Sequence, residues 1–123
     1  MKVISTDKAP AAIGPYSQAI EANGFVYVSG QIPVDPKVGA ITATTISEQA
    51  HQSFKNIGEV LNAAGTGFDK VVKATVFVKD IKDFAVINEI YATYFISKPA
   101  RSLVEVSNLP KGALIETEVI AIK

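Results

Sequence analysis

The chain of 123 residues has no cysteine and no tryptophan, and only one histidine, His51, and one arginine, Arg101. Without cysteine there is no disulfide, no thiolate nucleophile and no Cys-ligated metal, and one histidine cannot supply a two-imidazole clamp. Most Ser-His chemistry goes with it. A charge excess is also missing: 12 Lys plus Arg balance 12 Asp plus Glu. The electrostatic surplus that drives binding to a phosphate backbone is therefore absent, and nucleic acid is disfavoured as a partner. No stretch approaches the roughly 18 uncharged apolar residues of a membrane span. The segment Met1–Lys8 lacks the apolar run of a secretory signal, so a soluble, cytoplasmic protein without a membrane partner is expected.

What is present suits a folded chain, with 48% hydrophobic and 20% charged residues. The length predicts one domain spanning residues 1–123. Asn23-Gly24, between two β-prone runs, predicts a type I′ hairpin. The Pro- and Gly-containing stretch Ala9–Tyr16 before it reads as an ordered loop delivering Tyr16 to a strand mouth. Ile46, Ala50, Phe54, Ile57, Leu61 and Ala64 follow helical spacing, with Thr45–Glu48 as a capping box and Gly65 as the terminator. Val71–Lys79 predicts a strand with Val72, Ala74, Val76 and Val78 on one face. A second helix starts from Asp80 or Asp83, with Phe84, Ile87, Tyr91 and Tyr94 or Phe95 as its stripe. Two last strands, Arg101–Ser107 and Leu114–Ile122, are expected to pair as an antiparallel hairpin. The result is an α+β fold in which two helices cover one sheet face, and the uncovered face predicts self-association.

Among the candidates for chemistry, Arg101 opens a strand directly after Pro99-Ala100. Its planar fork suits a carboxylate or phosphate, and the plain alternative is a surface ion pair with one of the 12 acids. With lysine the habitual cation of this chain, arginine at this one position suggests that geometry as well as charge is needed. The expected last hairpin places Glu116 opposite Glu105, on the same side as Arg101, with Glu118 nearby, able to orient a water or simply forming a solvated edge. Tyr16, Ser29, Gly30 and Asn88 lie near element ends, where they serve either a small ligand or the loops themselves. His51 falls beside the first helix's apolar stripe, a flank position.

Four blocks carry a resemblance: Ile13–Ala19, Val28–Pro33, Pro99–Ser102 and Leu109–Glu116. Together they resemble the Rid (RidA/YjgF) family, with the similarity running from about Ile4 to Ile122. The resemblance implies a chorismate-mutase-like α+β fold with a mixed sheet, assembled as a barrel-like homotrimer with three ligand clefts between subunits. It implies hydrolysis of reactive 2-imino acids, 2-iminobutanoate and 2-iminopropanoate, to 2-keto acids and ammonia, with neither metal nor organic cofactor. By position, Arg101 matches the arginine that clamps the substrate carboxylate and Glu116 the glutamate that orients or activates water. Tyr16, Ser29 and Asn88 match pocket positions, with the Gly30 backbone against the ligand. One departure is Leu103, where many relatives carry cysteine. The alternative within the resemblance is a non-enzymatic trimer that senses 2-keto acids or other small carboxylates in amino-acid metabolism.

Overall fold

The computed structural model describes all residues, Met1–Lys123. The first hairpin forms as its turn dipeptide demands: Asn23 and Gly24 both take positive φ, 51° and 82°. They join β2 (Ala19–Ala22) to β3 (Phe25–Gln31) with Ala22 opposite Phe25. A short strand, β1 (Lys2–Ile4), adds antiparallel to β2. The sequence reading has no strand there, since three residues are too few to display alternation.

The first helix, α1 (Ile46–Ala63), begins at Thr45, whose side chain accepts the Glu48 amide at 3.2 Å. The Glu48 carboxylate accepts the Thr45 hydroxyl at 2.9 Å, closing the box through side chains. At the other end Gly65 turns left-handed at φ +79°, and the Gly65 and Thr66 amides reach back to the carbonyls of Asn62 and Leu61. This is a Schellman stop that only a residue without Cβ adopts cheaply. A 3-10 turn, in which Asp80 caps Lys82, leads into α2 (Phe84–Tyr94).

Around the helices run β4 (Val71–Val78), β5 (Ala100–Glu105) and β6 (Ile115–Ile122). The sheet order is β1-β2-β3-β6-β4-β5, with β4 and β5 parallel and β6 antiparallel to both β3 and β4. The expected β5–β6 hairpin is therefore corrected. The α2 crossover returns β5 parallel to β4 on its outer side, and the connection after β5 is long enough to carry β6 past it to the other edge of β4.

Both helices lie on one face, over a single core of 22 buried residues. Phe54, Ile57, Val60 and Leu61 of α1 and Ile87 of α2 meet Val26, Val76, Val78 and Ile115 of the sheet. Fully burying each such side chain contributes about 1.5–3 kcal/mol. Phe54 sits at the centre of an aromatic cluster, with ring centroids 5.9, 5.4 and 5.3 Å from Tyr91, Tyr94 and Phe95. Two predicted core positions are corrected. A bulge between Val71 and Lys73 turns Val71 inward and leaves Val72 exposed, and Phe84, at the start of α2, is 42% exposed. The opposite sheet face carries no helix, and Phe25, Tyr27, Val104 and Ile122 stand exposed on it.

Replacing Thr45 by alanine removes a hydroxyl that serves both halves of the cap. The expected loss is about 1 kcal/mol, or about 4 °C in Tm. A thermal melt with an unchanged midpoint contradicts this account of the helix start.

Candidate functional site

Arg101 is the second residue of β5 and lies level with Ala74 of β4, which puts its side chain on the helix-covered face. There α2 receives it. Nη1 donates to Asn88 Oδ1 at 2.8 Å, and Cζ lies 4.7 Å from the centroid of the Tyr91 ring and 5.7 Å from that of Phe84. Phe84, Asn88 and Tyr91 are spaced i, i+4 and i+7, so one stripe of α2 supplies all three contacts. No acid pairs with the guanidinium: the chain's only ion pair is Lys123–Glu21, at 3.1 Å. The surface ion pair weighed from sequence does not form. Beside Arg101 opens a cavity of about 630 Å³, walled by Asn88, Tyr91, Ala92, Phe95, Ile96, Lys98 and Pro99.

A larger cavity of about 910 Å³ lies elsewhere, between Asp7, Lys8, Asp35, Lys37, Lys55 and Glu59, with Pro36 the one apolar side chain in its wall. Ligand pockets are mostly apolar with a few placed polar groups, and the smaller cavity beside Arg101 is the one with that character.

Glu116 is placed differently. It lies level with Phe77 of β4 and through it with Val104 of β5, on the face without helices. Opposite β6, strand β3 bulges: two residues, Ser29 and Gly30, fit between the pairs Val28↔Val119 and Gln31↔Thr117. The Glu116 carboxylate lies against Gly30, so closely that a Cβ there would stand 2.2 Å from Oε2. Any other residue at position 30 would displace the carboxylate. Burial, reinforced by the like charge of Glu118, holds the Glu116 carboxyl above its ordinary value.

The same bulge anchors the loop before it. Ser29 donates its hydroxyl to the Ser17 carbonyl at 2.6 Å and its amide to the Gln18 carbonyl at 2.9 Å. Gln18, buried, fastens the loop further by donating to the carbonyls of Pro10 and Thr6 and accepting the Thr6 amide. Tyr16 is left 52% exposed at the loop tip. On the far side of β3, Asn56 of α1 donates to the carbonyls of Ile32 and Val34 and pins the exit from the bulge.

The candidates thus fall into two half-sites on opposite faces of one sheet. Arg101 and Asn88 form the first, Glu116, Gly30 and Ser29 the second. The expectation that Glu116 and Arg101 share a side through a β5–β6 pairing is corrected, because β4 intervenes and shifts the register. Arg101 is level with Val119, and Glu105 with Ile115. Glu105 does not join Glu116 either, since its carboxylate accepts the Ile81 amide at 3.0 Å before α2. His51 is exposed, with Nδ1 2.9 Å from the Tyr94 hydroxyl, the flank position its spacing implied. Leu103, on the same face as Arg101, packs against the core. No three His, Asp or Glu side chains gather as a metal site would need. Sequence reasoning missed Gln18 and the second role of Tyr91; the helical spacing of Phe84, Asn88 and Tyr91 was the available signal for the latter.

A mixed six-stranded sheet with two helices on one face defines a class of small single-domain α+β proteins, and similarity identifies the family within it. Residues 6–123 match the family model described as Endoribonuclease L-PSP. A 2-iminobutanoate/2-iminopropanoate deaminase of Rattus norvegicus is 54% identical over 123 residues, covering 99% of this chain and 90% of the rat protein. A Rid-family protein from Yersinia pestis superposes with a TM-score of 0.96 at 54% identity, covering 99% of this chain and 98% of that one. TdcF of E. coli, solved with bound serine, superposes with a TM-score of 0.95 at 42% identity, over 100% and 99% of the two chains. The chain belongs to this L-PSP family, also called Rid or YjgF. No helix is long and apolar enough to cross a membrane.

The raised Glu116 carboxyl means that the folded chain binds this proton more tightly than the unfolded one. Its contribution therefore favours folding at low pH and is lost as pH rises through the folded-state value. Glu116→Gln is expected to raise Tm at pH 7, and the gain should shrink as pH falls through the raised folded-state value, where the wild type takes up its proton, and be gone below the ordinary glutamate value of 4.5. A variant less stable than wild type at pH 7 contradicts this.

Proposed function

We propose that the chain is a deaminase that hydrolyses reactive 2-imino acids, 2-iminobutanoate and 2-iminopropanoate, to 2-keto acids and ammonia, acting in the cytoplasm as a homotrimer. The single observation behind this reading is the setting of Arg101: a guanidinium beside a partly apolar cavity, held by an amide oxygen and two aromatic rings and matched by no acid. Four of its five N–H donors remain for a substrate carboxylate, and such a charge-assisted pair contributes about 1.5–3 kcal/mol. The name of the rat relative and the serine bound to TdcF agree with a ligand that carries an α-carboxylate.

In this reading Glu116 supplies the second function, and its place on the other face supports its coming from a neighbouring copy. The exposed Phe25, Tyr27, Val104 and Ile122 give that neighbour an apolar surface to cover. In the cleft so formed, Glu116 takes a proton from a water as its oxygen adds to the electrophilic C=N carbon. Glu116 then gives that proton to the nitrogen; the C–N bond breaks and ammonia leaves as the new hydroxyl surrenders its own proton to the Glu116 carboxylate and the C=O bond forms. Proximity supplies much of the acceleration, since the iminium carbon needs no covalent nucleophile. Asn88 acts by holding Arg101, Gly30 by admitting the Glu116 carboxylate, and Ser29 by fixing the loop that presents Tyr16. The neutral charge and the absence of tryptophan disfavour RNA cleavage, the activity in the family description.

The test generates the imine in situ with a threonine dehydratase and follows keto-acid release. Wild type is expected to exceed buffer alone, Arg101→Lys to lose about 10- to 100-fold in kcat/KM, and Glu116→Gln to lose at least as much in kcat. Wild type no faster than buffer contradicts the deaminase, and binding of 2-oxobutanoate without turnover points to a carboxylate-sensing trimer. Sedimentation at micromolar concentration should give three times the 13.1 kDa chain mass; a monomer contradicts the shared cleft.

A further inference from the structure

Tyr91 occupies two stripes of α2 at once. On its core side it stacks on Phe95, with centroids 4.1 Å apart and an interplanar angle of 10°, and meets Phe54 edge-on at 78°. These contacts fix the plane of its ring, which is 7% exposed. On its other side it carries the Arg101 guanidinium 4.7 Å from the ring centroid. Its hydroxyl is buried and has no hydrogen-bond partner. Phenylalanine could fill the same core space, so what the surroundings use is the ring.

We infer that Tyr91, with Phe84 beside it, is a positioning residue for Arg101: a core-anchored aromatic socket that fixes the guanidinium so that the donors not given to Asn88 face the cavity. A cation over an aromatic face gains most where water is excluded, and a planar guanidinium, unlike an ammonium, also stacks. This gives a reason for arginine at the one position where the chain departs from lysine. The inference rests on the reading that Arg101 holds a carboxylate, but the socket itself can be examined without any substrate.

With one arginine in the chain, a single Nε–Hε resonance reports on the socket in the full-length protein. In wild type that proton should be displaced by the ring current and its guanidinium should rotate slowly. Tyr91→Phe should preserve both properties and leave the Kd for 2-oxobutanoate within about twofold of wild type. Tyr91→Leu should return the resonance to the position of free arginine. It should raise both the Kd and the KM for imine about tenfold while kcat changes less than threefold. Phe84→Ala, at an exposed position that spares the core, should shift the resonance part of the way. A wild-type resonance already at the free-arginine position overturns the inference, as does an unchanged resonance and Kd in both Tyr91→Leu and Phe84→Ala. A displaced resonance in a wild type that turns over no imine supports the socket and contradicts the deaminase, so the two failures are distinguishable.

Discussion

One cation without an anion organises the functional half of this molecule. Arg101 projects from an edge strand toward a helix that offers it an amide oxygen and two ring faces in place of a carboxylate. Had an acid stood at position 88, the pair would be closed and the fork's remaining donors would be less available. A neutral acceptor and polarisable rings orient the guanidinium while leaving its charge largely uncompensated for a ligand. The crossover that returns β5 parallel to β4 brings α2 over Arg101, so topology and chemistry are coupled at this point.

The second organising feature is separation. A strand alternates its side chains across the sheet, and an intervening strand shifts their level. Glu116 and Arg101 therefore belong to different faces of one subunit, and in the proposed trimer it is a second subunit that brings the two groups to one small molecule. The proposed assembly gives the bare sheet face and the separation of the two groups one explanation: the apolar surface left uncovered is the surface that carries Glu116. Burial and the like charge of Glu118 raise the basicity of that carboxylate, a direction suited to taking a proton from water.

Much of this was legible in the chain. The Asn23-Gly24 turn, the Thr45–Glu48 cap, the Gly65 stop and the stripe from Ile46 to Ala64 are local signals whose physics lies within a few residues, and each appears as its local chemistry dictates. The errors are non-local. Pairing β5 with β6 assumed that neighbours in sequence are neighbours in the sheet, and no residue between them announces that β4 intervenes. The bulges at Val71–Lys73 and at Ser29-Gly30 escaped for the same reason, since a bulge is defined by the partner strand. Arg101, Glu116, Gly30 and Asn88 could be nominated as candidates because residue type and motif spacing survive an error in topology. Their mutual arrangement was not found, because a one-strand displacement changes which side chains share a face. Tyr91 read only as core, its apolar spacing concealing a second face.

The claim that a single cleft draws Arg101 and Glu116 from different copies is tested most directly by mixing two impaired variants. Arg101→Lys and Glu116→Gln chains, denatured together in equal amounts and refolded, should recover about a quarter of wild-type imine hydrolysis, because a quarter of the clefts then combine an intact arginine with an intact glutamate. If both residues served from one chain, no mixed assembly could restore a complete site, and activity no greater than that of the separately refolded variants would contradict the account.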